Sequence, residues 1–206
     1  MLRLLLVTVL LATPAISHAD EAPVLLVLGD SLSAGYGLTL ERGWVARLAE
    51  RLADTDARYR VVNASVSGET TAGGVTRLPS LLEREGPALV IIQLGANDGL
   101  RGFQFDVIRA NLSELVRRSR EAGAKVLLVG VRLPPNYGAA YTQGFQDVFV
   151  EVAEREQVPL VPFLLAGVAE RWELMQPDGL HPTAEAQSQI LDNVWSGLAP
   201  LINAAD

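Results

Sequence analysis

From residue 23 onward, short continuous apolar runs alternate with stretches of helical spacing. The runs are Val24 to Leu28, Arg60 to Asn63, Leu89 to Leu94, Val126 to Val131 and Val158 to Val161. Unbroken apolar strands are those buried on both faces, which happens when helices cover a parallel sheet. Helical spacing fills the gaps. Trp44, Val45, Leu48 and Leu52 make one apolar face. Val107, Ile108, Leu112, Leu115 and Val116 make another, with Gly123 placed as its C-terminal stop. Phe145, Val148, Phe149 and Val152 make a third, and a last helix is expected from about Thr183 to Leu201. Right-handed crossovers between such strands give a three-layer, doubly wound α/β fold. Ligands of these folds bind outside the carboxyl ends of the strands.

At 206 residues the chain is long enough for one sizeable core and short for two. No repeat, linker or low-complexity tract divides it, so residues 20–206 are read as a single domain. Residues 1–19 are a separate object. Arg3 is followed by the apolar run LLLVTVLLA, and Ser17 and Ala19 are small residues at the −3 and −1 positions of a cleavage site. This is the pattern of a secretory signal peptide. The expected location is therefore periplasmic or secreted, with no stable membrane insertion after cleavage. A net charge of −7, with Lys125 the only lysine, argues against nucleic acid, whose phosphates need clustered cations. The chain has no cysteine, so it has neither a disulfide nor a thiol nucleophile.

Four polar loops fall on the edge where such a fold builds its sites. GDSLS begins at Gly29, NASVSGETT at Asn63, GANDGLRG at Gly95 and DGLHP at Asp178. Removal of the signal leaves His181 as the single histidine, hence the one ordinary candidate base for a serine nucleophile. Asp178, three residues earlier, can hold its Nδ1–H. The Ser31 N–H, the Gly68 N–H and the Asn97 side-chain amide can serve as fixed donors to a developing oxyanion. Each feature also has a plain alternative. Ser31 could be a helix N-cap, Asn97 and Gly68 turn residues, and Asp178-Gly179 a turn dipeptide. Those alternatives would have to coincide on all four loops of one sheet edge.

Taken together, GDSLS, SGET, GAND and DGLHP resemble the four sequence blocks of the SGNH hydrolases, also called the GDSL esterase/lipase family. The longer matches LGDSLSAGYG, VVNASVSGETTAGG, RLPSLL, RLPPNYG and GANDGLRGFQ are similar to the bacterial periplasmic acyl-CoA thioesterase I, lysophospholipase L1 and arylesterase group. The resemblance implies a flavodoxin-like α/β/α fold with a mainly parallel five-stranded sheet. It implies Ser31, His181 and Asp178 as catalytic triad, and Ser31, Gly68 and Asn97 as oxyanion hole. It further implies that Gly74 to Ser80 is a mobile loop beside the acyl site and that Arg132 to Tyr137 line the same cleft.

The expected reaction is hydrolysis of acyl esters and thioesters, including aryl esters, lysophospholipids and acyl-CoA-type thioesters, by a monomer needing no cofactor and no metal. Leu32, Leu100, Phe103, Leu133 and Pro134 are the expected acyl-binding residues. A carbohydrate esterase of the same fold and a non-catalytic lipid- or carbohydrate-binding protein remain as alternatives. Other classes fit less well. No G-x-S-x-G elbow is present, and the glycines spell neither G-x-G-x-x-G nor a phosphate-binding loop. Asp30, Asp98, Asp178 and His181 could suggest metal ligands, but a transition-metal site usually draws on more than one histidine.

Overall fold

The computed structural model describes residues 22–55 and 58–203. The expected signal peptide lies outside them. Five strands form one sheet in the order β2-β1-β3-β4-β5, and every pairing is parallel. They are β1 (Val24–Gly29), β2 (Arg60–Asn63), β3 (Leu89–Gln93), β4 (Lys125–Val129) and β5 (Leu160–Val161). Seven helices are described: α1 (Ser31–Ala34), α2 (Trp44–Ala53), α3 (Thr71–Glu85), α4 (Ala96–Leu100), α5 (Phe105–Glu121), α6 (Ala139–Glu156) and α7 (Gln187–Asn203). Helices α2 and α7 pack together on one face of the sheet, and α3, α5 and α6 lie side by side on the other. The chain order of the strands reverses direction at β1, between β2 and β3, so the switch point lies there.

The central strands explain the continuous apolar runs. Leu25, Leu26, Val27 and Leu28 of β1 and Leu89 to Ile92 of β3 are fully buried, because helices cover both of their faces. Each such side chain contributes about 1.5–3 kcal/mol relative to exposure. The β2 edge strand is only half-buried, which matches its more polar sequence. In α2 the buried residues are Trp44, Val45, Leu48 and Leu52, and in α5 they include Ile108, Leu112, Leu115 and Val116. Helix α5 stops where Gly123 takes φ +86°, with the Ala124 N–H closing back on the Ser119 carbonyl at 3.0 Å.

Two expectations need correction. Gly74 to Ser80 is not a loop but the middle of α3. Two glycines and a proline hide this helix from a propensity reading. Tertiary contacts stabilise it instead. The Thr70 hydroxyl caps its start by accepting from the Gly73 N–H at 3.2 Å. Gly74 sits against Leu94, the residue after β3, which a Cβ would approach to within 2.5 Å. Pro79 cannot donate to the Val75 carbonyl, and Arg118 of α5 donates to that oxygen at 3.4 Å. The last helix, in turn, begins at Gln187 rather than near Thr183. Residues 183–187 make three-residue turns first, and the Gln187 side chain bonds the Thr183 carbonyl while its Oε1 caps α2 at the Trp44 N–H, 3.0 Å away.

Candidate active site

Asp30 and Ser31 follow β1 directly. The residue that caps α1 is Asp30, whose Oδ1 accepts from the Leu32 N–H at 3.0 Å. Ser31 is the first helical residue, so its hydroxyl is released from capping. Asp30 is fully buried. Gln93 donates to its Oδ1 at 3.2 Å and accepts from Ser33 at 2.6 Å. Among the described residues its Oδ2 has no hydrogen-bond partner. Burial pushes the Asp30 carboxyl up to about 6, against the opposing pull of the Leu32 N–H and Gln93. Gly29 has to be glycine here, because a Cβ would lie 2.7 Å from Ser33 and 2.9 Å from Gln93.

The loop after β2 carries Gly68 at φ +82°, a conformation open to glycine. The loop after β3 carries Asn97 in α4. Its Nδ2 donates one hydrogen to the Glu69 carbonyl at 3.0 Å, which orients the amide and leaves its second hydrogen for a ligand. Asp98, fully buried, ties these loops together: it accepts from the Thr71 N–H at 2.9 Å and the Thr71 hydroxyl at 2.5 Å.

The fourth loop is folded back on itself. Met175 and Pro182 form an antiparallel bridge, and the Gln176 N–H donates to the His181 carbonyl at 2.7 Å. Gly179 at φ +67° turns the chain between them. Asp178 Oδ1 accepts from the Leu180 and His181 N–H groups at 2.9 and 3.0 Å, and its Oδ2 lies 2.7 Å from His181 Nδ1. Burial raises the Asp178 carboxyl, but the His181 N–H, the imidazole and the Leu180 N–H outweigh it and hold it at about 2. An ionised carboxylate can only accept, so Nδ1 carries the hydrogen and Nε2 is left to accept. Nε2 lies 2.8 Å from Ser31 Oγ. Tyr36 covers the imidazole, with ring centroids 4.3 Å apart.

A cleft of about 300 Å³ opens over this array. Ser31, Gly68, Asn97 and His181 line it on the polar side. Leu32, Leu100, Leu133 and Pro134 also line it, joined by Tyr36, Val131, Arg132, Phe163, Leu165 and Leu180. Phe163 and Leu165 follow β5 at the same sheet edge, a position that could have flagged them. Phe103 is a correction. Gly102 at φ +72° turns the chain away after α4, and Phe103 instead borders a separate shallow depression with Gln104, Phe105 and Tyr141. The expected Arg132 to Tyr137 wall is also shorter, since only Arg132 to Pro134 reach the cleft. Tyr137 turns to the Leu100 carbonyl and stacks beside Tyr141. Nothing of α3 between residues 74 and 80 borders the cleft. Among the described residues no cluster of three or more His, Asp or Glu side chains is arranged to hold a metal ion, and no helix is long and apolar enough to cross a membrane.

Residues 27–188 match the GDSL-like Lipase/Acylhydrolase family. Esterase TesA of Pseudomonas aeruginosa is 50% identical over 201 residues, 98% of this chain and 100% of that protein. Thioesterase 1/protease 1/lysophospholipase L1 of Escherichia coli K12 is 41% identical over 186 residues, 90% of this chain and 88% of that one. The crystal structure of the psychrotrophic esterase EstA from Pseudoalteromonas sp., inhibited by monoethylphosphonate, superposes with a TM-score of 0.83. It is 40% identical, and the match covers 87% of this chain and 98% of that one. With family blocks, sheet topology and relatives all in agreement, this chain belongs to the GDSL-like lipase/acylhydrolase family.

Proposed function

We propose that this acylhydrolase cleaves acyl esters and thioesters by two-step transfer through Ser31. The observation that carries the reading is the unbroken relay from Asp178 Oδ2 to His181 Nδ1 at 2.7 Å and from Nε2 to Ser31 Oγ at 2.8 Å. As Oγ bonds to the substrate carbonyl carbon, Nε2 takes its proton. The carbonyl oxygen gains charge and is held by the Ser31 and Gly68 N–H groups and the Asn97 amide. The imidazolium, facing an ionised Asp178, then gives its proton to the departing alkoxide or thiolate. Water enters, loses a proton to Nε2 and releases the acid from Ser31, which regains its hydrogen.

The apolar cleft walls support an acyl chain as the group held. About 300 Å³ is at the small end of ligand sites, which favours short and medium chains. The relatives named esterase and thioesterase/lysophospholipase support lipid or aryl esters and thioesters as the substrate class. Residues 1–19 support export, and such an enzyme would meet extracytoplasmic esters. An N-terminus at Asp20 in the exported protein, read by mass spectrometry, would test that part.

The test of the reaction is hydrolysis of p-nitrophenyl esters from acetate to palmitate, with EDTA present. Ser31→Ala and His181→Ala are expected to lose about 10⁴-fold or more in kcat. Near-normal turnover by Ser31→Ala would overturn the proposal.

A further inference from the structure

The helical segment 74–80 does not touch the cleft, yet its arginine reaches back to the loop that carries Gly68. Arg77 Nη2 donates to the Ala64 carbonyl at 2.7 Å, where that loop leaves β2. Arg77 Nη1 donates to Glu69 Oε2 at 2.8 Å, where the loop enters α3. One guanidinium therefore joins both ends of the segment from 64 to 69. We propose that Arg77 and Glu69 are positioning residues that clamp this segment and so fix the oxyanion donors Gly68 and Asn97. The inference rests on the acyl-transfer reading above.

Glu69 links the clamp to both donors. It follows Gly68 directly in the chain. Its carbonyl accepts the Asn97 amide at 3.0 Å. Its side chain is held on both oxygens, since Oε1 accepts from the Thr70 N–H at 3.2 Å while Oε2 meets Arg77. The carboxylate occupies the space left by Gly73: a Cβ there would lie 1.8 Å from Oε1. Arg101 adds an outer tie, donating to the Gly68 carbonyl at 3.3 Å.

An exposed ion pair would do little here. This one differs, because the Glu69 side chain is only 11% exposed and the second arm of Arg77 ends on a main-chain carbonyl. The planar fork reaches the two acceptors from two separate nitrogens, whereas a lysine offers a single one. A glycine at φ +82° flanked by an untied loop would sample many orientations of its N–H. Oxyanion stabilisation depends on donors that are already aimed before the charge develops. The clamp supplies that fixity without touching substrate, since neither Arg77 nor Glu69 lines the cleft.

Arg77→Met and Glu69→Gln test it, with active sites counted by the burst from a p-nitrophenyl phosphonate. The expected result is a loss of about tenfold in kcat per titrated site with KM unchanged, and partial recovery in Arg77→Lys. Combined with Asn97→Ala, Arg77→Met should cost less than it does alone, because both act through one oxyanion hole. Unchanged kcat per titrated site in both variants, or full additivity with Asn97→Ala, overturns the clamp. If Arg77→Met does not fold, Glu69→Gln and its combination with Asn97→Ala decide. Failure of the underlying reading has a different signature, which is retained activity in Ser31→Ala.

Discussion

Replacing Asp178 by asparagine is the sharpest perturbation available, because it changes one atom in a site whose hydrogen bonds fix the outcome. Oδ1 accepts two backbone N–H groups, from Leu180 and His181. In Asp178→Asn that side must remain the carbonyl oxygen, so the new NH₂ faces His181 Nδ1. A donor there cannot accept Nδ1–H. The imidazole answers by moving its hydrogen to Nε2, the atom 2.8 Å from Ser31 Oγ. The base is then in the wrong tautomer and cannot take the serine proton. The same swap in an unrelated serine–histidine–aspartate site costs about 10⁴ in kcat, roughly 5.5 kcal/mol of barrier. Stability should move far less, under about 1 kcal/mol, because the loop keeps both N–H bonds to Oδ1. The assay is kcat on a p-nitrophenyl ester beside the rate of serine phosphonylation, both falling together, with thermal unfolding as control. Retention of more than about a tenth of kcat would refute the tautomer argument. The carboxyl held at about 2 also implies that Asp178 stays ionised across any ordinary assay pH.

Other outcomes follow from the same structure. Asn97→Ala should lower kcat by about 10²–10³ with little change in KM, whereas a KM effect alone would place the amide in ground-state binding. Asp30, raised to about 6 in the folded protein from 3.8, binds its proton more tightly when folded, so its contribution to stability is present below about pH 3.8 and lost as pH rises through 6. Relative to Asp30→Asn, the wild type should lose about 3 kcal/mol across that window in urea titrations; a flat difference would sink the assignment. Gly130→Ala should cost about 1–3 kcal/mol of unfolding free energy, because its Cβ would meet the Pro162 carbonyl oxygen at 2.5 Å and backbone cannot step aside. Along the ester series each added methylene should lower KM about fourfold until the cleft is filled, after which KM levels off. A KM indifferent to chain length would show that the apolar walls do not hold the acyl group.

The sheet was legible because burial on both faces writes an unbroken apolar run, as in Leu25 to Leu28. Loops at the carboxyl edge were legible because polar residues there interrupt such runs. Helix α3 was not, since its first turn holds Gly73 and Gly74 and its middle contains Pro79. The contacts that stabilise it, Thr70 at its start and Arg118 on the Val75 carbonyl, are between groups 3 and 43 residues apart. Phe103 was assigned to the cleft as an apolar loop residue, but a single turn at Gly102 sends it elsewhere. Tyr36 escaped notice because a ring tilted over the imidazole leaves no periodic trace, although it stands within the motif that begins at Gly29.

The fold of the Gln176 to Pro182 strap has a consequence for how activity is lost. In the proposed mechanism the base His181 and its orienting carboxylate Asp178 sit on this strap, three residues apart, while Ser31, Gly68 and Asn97 sit on loops anchored to the sheet. Among the bonds that tie the strap to the rest of the molecule are those from Gln176 to the Tyr36 carbonyl and between His181 and Ser31, with the Thr183 N–H on the Leu174 carbonyl closing its base. Local opening there would remove the base and the carboxylate that orients it in one event, with the sheet and its loops still in place. Inactivation by that route would be reversible, because the sheet and its loops would still stand as the seat to which the strap returns.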